Sequence, residues 1–526
     1  RYSRLPIGAT LLRAFTEPIC VNSVGNFTTH ANMKKSKKQA GVATLALRWL
    51  LLLGVAGHYS NIAAPADDAK EPEIIRGLRL DSDEAAPGYV LYARSRMTYL
   101  IDHAGKVVHT WTGKETANSV YLLENGNLLR CAQEPNAPVF KGGGQGGRIQ
   151  EFSWDGELLW DWKFANERHL LHHDLQLLPN GNILAIAWES KSARECVQAG
   201  RRVDLTPEAG LWPDMIIEVE PQRPNGGRIV WEWHLWDHLI QNHDSTKMNY
   251  GTPSEHPERF DINGGAKPSD MDPKELARLK ALGYVPPDAQ PKDLKSDFVH
   301  TNAIDYNADL DQIAISSRRF SEIWIIDHST TSEQAAGHSG GRSNKGGDIL
   351  YRWGNPRNYG RGSEAEQMLF GQHDIRWIEK DLPGAGHLMV FNNQVPAPEG
   401  VHSAVYELVP RMRPDGSYSI PSEGPFEPAQ PVWEYEAPDK TSFFSGHISG
   451  ARRQPNGNTL ICAGAPGRIF EVTPGGKIVW EFWEPFEGNH TVFRATKYPP
   501  EHPALAGRNL KPVNPQPEHA KAKPSE

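Results

Sequence analysis

Apolar and polar residues alternate along this chain over short runs, and the same turn signals interrupt the runs repeatedly. Tyr121–Leu129, Leu175–Leu184 and Ala451–Leu460 each read strand, Asn-Gly turn, strand, the strongest short-range hairpin signal. A second line recurs beside it. Ile149–Trp160, Ile469–Trp480 and Leu100–Trp111 share an alternating strand, a Gly-containing turn and a second strand ending in Trp. Shorter versions pair Ile216–Glu220 with Arg228–Trp231, Trp324–Asp327 with Leu350–Trp353, and Val405–Leu408 with Val432–Trp433. Each unit thus predicts four strands: an inner pair around the first turn and an outer pair closing on Trp. Tandem units of four strands predict an all-β, six-bladed β-propeller over residues 88–508. The first outer pair, 89–112, has no inner partner ahead of it, and His490–Tyr498 is a strand with nothing after it. The C-terminal strand is therefore expected to join the N-terminal blade and close the ring, leaving no open edge between blades.

Three stretches depart from the pattern. Residues 237–297 form an insertion with a helical signal over Asp272–Gly283, Pro at its start and Gly at its end. It directly precedes His300 and is expected to act as a lid. Residues 334–347 are rich in Gly and Ser and are expected to be flexible. The Pro/Lys-rich tail 509–526 is expected to be disordered.

Composition narrows the classes. The chain has 526 residues with 64 acidic against 56 basic side chains. No basic stripe interleaved with aromatics occurs, which argues against nucleic acid as a partner. The cysteines Cys20, Cys131, Cys196 and Cys462 form no CxxC pair, so a cysteine-based zinc site is not expected. Met33 is followed by the basic run Lys34–Lys38 and an apolar run over Gly41–Gly57, interrupted by Arg48. This reads as an export signal over 33–60, with a membrane anchor as the alternative. On that reading 1–32 lie upstream of the natural start, 61–87 are a linker, and the propeller is periplasmic or exported.

Candidate chemistry comes from aligning the start of each innermost strand. The aligned residues are Asn118, His173, His300, His373, His447 and His490. In a propeller these positions ring the mouth of the central channel. His172, one residue earlier, is expected on the opposite face of its strand. Arg318 follows the strand that pairs with that of His300. A repeat-encoded structural histidine is one explanation of the ring. Metal binding is a second, since three His suit zinc or copper. The third is covalent transfer of a charged group: a neutral imidazole is a competent nucleophile, and Arg318 favours an anionic ligand over a cation.

The segments HHDLQLLPNGN, DFVHTNAIDYNADLDQIAISSRR, YRWGNP, GQHDIRW, FNN and HTVFRATKYPP resemble the bacterial aryl-sulfate sulfotransferase family over roughly 88–508. The resemblance implies a six-bladed propeller that moves a sulfuryl group from a phenolic sulfate ester to a phenol. It also implies a ping-pong route through a sulfated histidine, with no nucleotide donor, cofactor or catalytic metal. Carried over by motif, His373 resembles the nucleophile, and His300 and Arg318 resemble the groups that hold the sulfuryl oxygens. Asn302 would support them, and His173 would be a further ligand and proton donor. His447 and His490 are kept as substrate-binding candidates on the repeat alone. Arg319 is expected to point away. The disulfide near the site of well-known members has no matching Cys pair here, and the oligomeric state is left open. An aryl sulfate hydrolase and a non-catalytic or metal-binding propeller stand as alternatives.

Overall fold

The computed structural model describes residues 74–265, 272–281 and 285–513. Its strands form six four-stranded antiparallel sheets, with a fifth strand added to the last. The innermost strands of blades 1 to 6 are Ala495–Tyr498, Ala117–Leu122, His169–Leu177, Thr301–Asn307, His373–Trp377 and Gly450–Arg453. The expected Asn-Gly hairpins are present. Gly126, Gly181 and Gly457 all take φ near +90°, and Asn125, Asn180 and Asn456 each accept the backbone N–H two residues on.

Why six such sheets make a ring follows from what lies between them. Each neighbouring pair of blades shares its own apolar cluster. One packs Leu184, Ile186 and Ile216 of blade 3 on Ile304, Ile313 and Ile315 of blade 4. Another packs Val90, Tyr92 and Ile101 of blade 1 on Leu460, Ile469 and Phe482 of blade 6. The Trp that ends each repeat has a second task. The indole N–H groups of Trp111, Trp160, Trp231, Trp353, Trp433 and Trp480 donate to Ser153, Gly226, Thr330, Pro428, Pro474 and His103. Every acceptor lies between the third and fourth strands of the following blade or, for Gly226, at the first residue of the fourth, and the last bond runs from blade 6 to blade 1. Each bond contributes a net ~0.5–1.5 kcal/mol and fixes the angle between blades.

Two strands join the ends. Ala495–Tyr498 pairs antiparallel with Tyr89–Tyr92 of blade 1. Gly77–Asp81 pairs with Trp480–Trp483, becoming a fifth, outermost strand of blade 6. That strand falls in the stretch read as a linker over 61–87. Its side chains are largely exposed, so it carries no core-facing alternation to reveal it. At the other end, Leu510 packs against the blade 1–2 cluster and Val513 N–H donates to Val107, so the start of the 509–526 tail is fixed on blade 1.

The insertion is tied down on both sides. Leu239–Ile240 and Phe260–Asp261 form a short parallel pair, and Pro273–Ala281 is a helix. Leu276, Val285, Ala289 and Leu294 make a small core of their own, and Lys141 of the blade 2 loop pairs with Asp288 at 3.0 Å. Residues 334–347, expected to be flexible, are ordered by a short helix, Ser332–Ala335, with a complete capping box at Thr331. The expected export signal over 33–60, residues 1–32 and residues 514–526 lie outside the described residues. Among the described residues no helix is long and apolar enough to cross a membrane.

Candidate active site

Four consecutive blades carry a left-handed non-glycine residue on the innermost segment, within the strand of blade 3 and at or just before the strand start in blades 4 to 6: His173 at φ +56°, His300 at +55°, Asp374 at +58°, and Ile448 at +50°. Such geometry costs about 1–3 kcal/mol per residue and gathers at functional sites. Its effect here is to turn successive side chains out of strict alternation. His173 comes forward to stack edge-on with His300, ring centroids 4.6 Å apart. Asp174 and Asp374, next in sequence to the histidines, turn inward down the channel.

His373 is buried and held by two neighbours. Asn393 donates through Nδ2 to the carbonyls of Ser445 and Ile448, at 2.7 and 2.9 Å. That orients its amide, so Oδ1 faces His373 Nδ1 at 2.8 Å and must accept a proton from it. The lone pair of the neutral ring is thereby placed on Nε2, which accepts a 3.2 Å hydrogen bond from Ile448 N–H. Burial first, then the Arg318 charge, holds the His373 pKa well below its ordinary value, so the ring is neutral at pH 7. His300 and His447 lie within charge range of it.

His300 is oriented by the insertion. Its Nδ1 bonds to buried Asp297, leaving Nε2 as the other face. Burial lowers its pKa, and Asp297 pulls it back only in part, against Arg318 and Arg319. Arg318 N–H donates to the His300 carbonyl at 3.2 Å, which sets the two residues side by side. Arg319 donates to the Leu294 carbonyl and stays within charge range of His300 and Asp297. Asn302 is fully buried and donates to the Gln372 carbonyl at 2.8 Å. Gln372 in turn donates to Ser316, Ser317 and Glu322, locking the His373-bearing loop of blade 5 onto blade 4.

His172 corrects the sequence reading. It was expected on the far face with no role, yet its Nδ1 lies 2.7 Å from His173 Nδ1. The cause is the left-handed His173, which breaks the alternation. His172 stacks on Trp188 at 4.1 Å and places Nε2 3.4 Å from Asp214 Oδ1. Neither of those two atoms has a hydrogen-bond partner, and the contact between the Nδ1 atoms requires one imidazole to donate to the other, leaving His173 Nε2 as its second ring nitrogen. That Nε2 is buried and has no hydrogen-bond partner. Burial, then His300, lowers the His173 pKa far below its ordinary value. A Cβ on Gly144 would stand 2.0 Å from this nitrogen, so glycine is required there.

The structure brings His173, His300, His373, His447 and Arg318 together, but holds His490 elsewhere. His490 Nδ1 lies 2.7 Å from Glu484 Oε2, in a group with Arg94 and Arg76. Burial brings its pKa down to about 4. The sixth repeat position, Asn118, spends its amide on the carbonyls of Gly144 and Gln145.

Beneath the imidazoles the channel is plugged by ions. Arg376 and Arg494 both contact Asp174 Oδ2, at 2.5 and 2.8 Å, and Asp374 Oδ1, at 2.7 and 2.9 Å. Tyr121 joins them through Asp174, and Arg376 also donates to the Ile304 carbonyl. Burial pushes the Asp174 carboxyl up, but the two guanidinium groups outweigh it and hold it far below the usual range. Asp174, Asp374, Arg376 and Arg494 were missed in the sequence, although each Asp follows a candidate histidine directly.

A cavity of about 480 Å³ adjoins the cluster, with Asn118, Gly144, Ile448 and Phe493 in its wall and Ala281 of the insertion helix at its edge. Phe493 lies 6.2 Å from His173 by ring centroids. A larger cavity, about 680 Å³, is lined by Tyr121, Arg376 and Arg452. It opens at the other end of the channel, beyond the plug, and the imidazoles line neither cavity directly.

Fold and site together define a six-bladed propeller whose channel mouth combines neutral imidazoles with a guanidinium, a surrounding suited to a tetrahedral oxyanion. The sequence model of the arylsulfotransferase (ASST) family matches residues 81–485. The chain belongs to that family, and aryl sulfotransfer is its general class of activity. No curated protein matches the chain. A protein of unknown function from Bacteroides caccae is 12% identical at TM-score 0.40, over 78% of this chain and 99% of its own. The Cps50 (Swd1) β-propeller domain of Myceliophteria thermophila is 12% identical at TM-score 0.37, over 78% and 86%. A streptogramin B lyase is 10% identical at TM-score 0.34, over 78% and 84%. None of these likenesses bears on the site.

Proposed function

We propose that the protein transfers a sulfuryl group from a phenolic sulfate ester to a phenol, by a ping-pong route through His373. The observation that carries this reading is the oriented amide of Asn393, which fixes the neutral His373 with its lone pair on Nε2. In the first half-reaction that lone pair gives up its 3.2 Å hydrogen bond from Ile448 N–H and attacks sulfur. The N–S bond forms as the S–O bond to the aryl group breaks, and the electron pair leaves on the phenolate oxygen. Arg318 and His300 hold the sulfuryl oxygens, and Asn302 keeps the two loops in register. A phenolate whose conjugate acid has pKa near ~10 is a fair leaving group, so light proton assistance suffices. A protonated His173, favoured once the anionic ester is bound, supplies it. The second half-reaction runs the same path backwards. The acceptor phenol gives its proton to His173 Nε2, its oxygen attacks sulfur, and the N–S bond breaks to restore neutral His373.

The 480 Å³ cavity beside His173 and Ile448 is the place we assign to the aryl ring, with Phe493 as its apolar wall and the insertion helix as its lid. His447 is assigned to the sulfuryl end through its nearness to His373, and His490 supports the wall that Glu484 organises. The basic and apolar stretch over 34–57 supports a periplasmic or exported site of action. Purified protein incubated with a chromogenic aryl sulfate tests the reaction type. Transfer predicts turnover that depends on added phenol and yields a sulfated phenol. Turnover indifferent to phenol, with free sulfate as product, would establish hydrolysis instead.

A further inference from the structure

Far from the channel mouth, the loop joining the last two strands of blade 4 meets the turn that follows blade 3. Asp348 Oδ1 lies 2.8 Å from His238 Nδ1 and 2.8 Å from His338 Nδ1. The hydrogen-bond count around His238 is unusual. Its Nε2 lies 2.8 Å from the Ala335 carbonyl, which can only accept, so Nε2 carries the proton. In the neutral ring Nδ1 is then a lone pair, and it faces a carboxylate oxygen that is also an acceptor. Something positive belongs between them. His238 is fully buried and stacks on Trp233. Donation of the second ring nitrogen to a backbone carbonyl is the usual way a metal-bound histidine is oriented.

We propose that His238, His338 and Asp348 form a zinc-binding site that clasps this loop to blade 3. Two imidazoles and one carboxylate, with a water as fourth ligand, suit zinc. The three ligand atoms already lie within 4.8 Å of one another. With zinc–ligand bonds of ~2.0–2.1 Å the tetrahedral edges are about 3.3 Å, so the two 2.8 Å contacts open by about half an ångström. The loop is built for close approach here. A Cβ on Gly347 would stand 2.0 Å from the Ala335 carbonyl and 2.6 Å from His238 Nε2, so only glycine lets the chain pass. Trp233 donates to the Gly347 carbonyl at 2.7 Å, holding that passage in place.

The full-length protein, treated with a chelator and titrated with zinc chloride, tests the proposal by calorimetry and metal analysis. His338 is 43% exposed in its side chain, so His338→Ala is expected to fold normally. The expected result is one zinc per chain at micromolar affinity or tighter, lost in His338→Ala and Asp348→Asn but kept in His373→Ala. Zinc should also raise the Tm of the unsubstituted protein by a few degrees and not that of His338→Ala, with sulfotransfer unchanged. Absence of stoichiometric zinc in folded protein would overturn the proposal in favour of a charged histidine–carboxylate pair. Zinc that survives His338→Ala but disappears in His373→Ala would overturn it too, by assigning the metal to the channel mouth.

Discussion

Replacing Asn393 isolates the feature that, on the proposed route, directs His373 Nε2 at sulfur. Asn393 is fully buried and forms three hydrogen bonds: it donates to Ser445 and Ile448 and accepts from His373. Asn393→Leu removes all three. Asn393→Asp removes the two donated bonds but keeps an acceptor for Nδ1–H. Both variants lose the two donated bonds, Asn393→Asp also sets a buried carboxylate oxygen against the two carbonyls, and the rates are therefore compared at temperatures where each variant is folded. Leaving a buried donor unpaired costs about 1–3 kcal/mol. If that is the energy by which Asn393 favours the reactive tautomer, Asn393→Leu lowers the rate of the first half-reaction roughly 5- to 150-fold. Asn393→Asp should stay closer to the unsubstituted rate. Its carboxylate favours the imidazolium form, so the acidic limb of its pH profile should move to higher pH. The assay is the single-turnover burst of phenolate, with Tm measured on each variant. A burst in Asn393→Leu as fast as in the unsubstituted protein would refute the reasoning. So would equal losses in the two variants.

The same environments set the pH behaviour. The His373 pKa is held well below 6.5, so the nucleophile of the proposed route stays neutral and the burst rate should show no loss from pH 8 to pH 6. An ordinary imidazole would already have lost half its activity near 6.5. Folding stability changes with the opposite partner in view: below pH 6.5 the unfolded chain binds protons at His173, His300 and His373 that the folded chain does not. Stability therefore falls as the pH drops from there, by up to ~1.4 kcal/mol per unit for each histidine, and urea titrations at pH 7 and 5.5 would measure it. Asp174→Asn strips the shared carboxylate from Arg376 and Arg494 and should cost about 3–5 kcal/mol in the same titrations. His172→Phe keeps the stacking on Trp188 but removes the contact to His173. It should slow sulfuryl transfer to phenol while leaving the first burst near normal, read by double-mixing kinetics.

The architecture was legible because a propeller repeats its instructions. Asn-Gly hairpins mark three of the blades, the terminal Trp recurs in all six, and its indole bonds each blade to the next. The Gly77–Asp81 strand was not legible, since a fifth strand on a blade's rim needs no buried face. At the site the repeat position located His173, His300, His373 and His447, because blades superpose their channel ends. It misled at His490, which follows the same spacing yet is held by Glu484. His172 was hidden for a different reason. Alternation assumes extended backbone, and the left-handed His173 breaks it. Asp297, Asn393 and the Arg–Asp plug sit on separate blades or in an insertion, and only the folded ring brings them to the histidines. The directly repeated His-Asp pair, at 173–174 and 373–374, was the one sequence signal for the plug.

The central claim is that His373 carries the sulfuryl group between donor and acceptor. Intact-mass analysis of protein mixed with an aryl sulfate in the absence of phenol tests it most directly. The account predicts a mass gain of one sulfuryl group, mapped to His373, that disappears on adding phenol and never forms in His373→Ala. An adduct on another residue, or phenol-dependent turnover undiminished in His373→Ala, would contradict it.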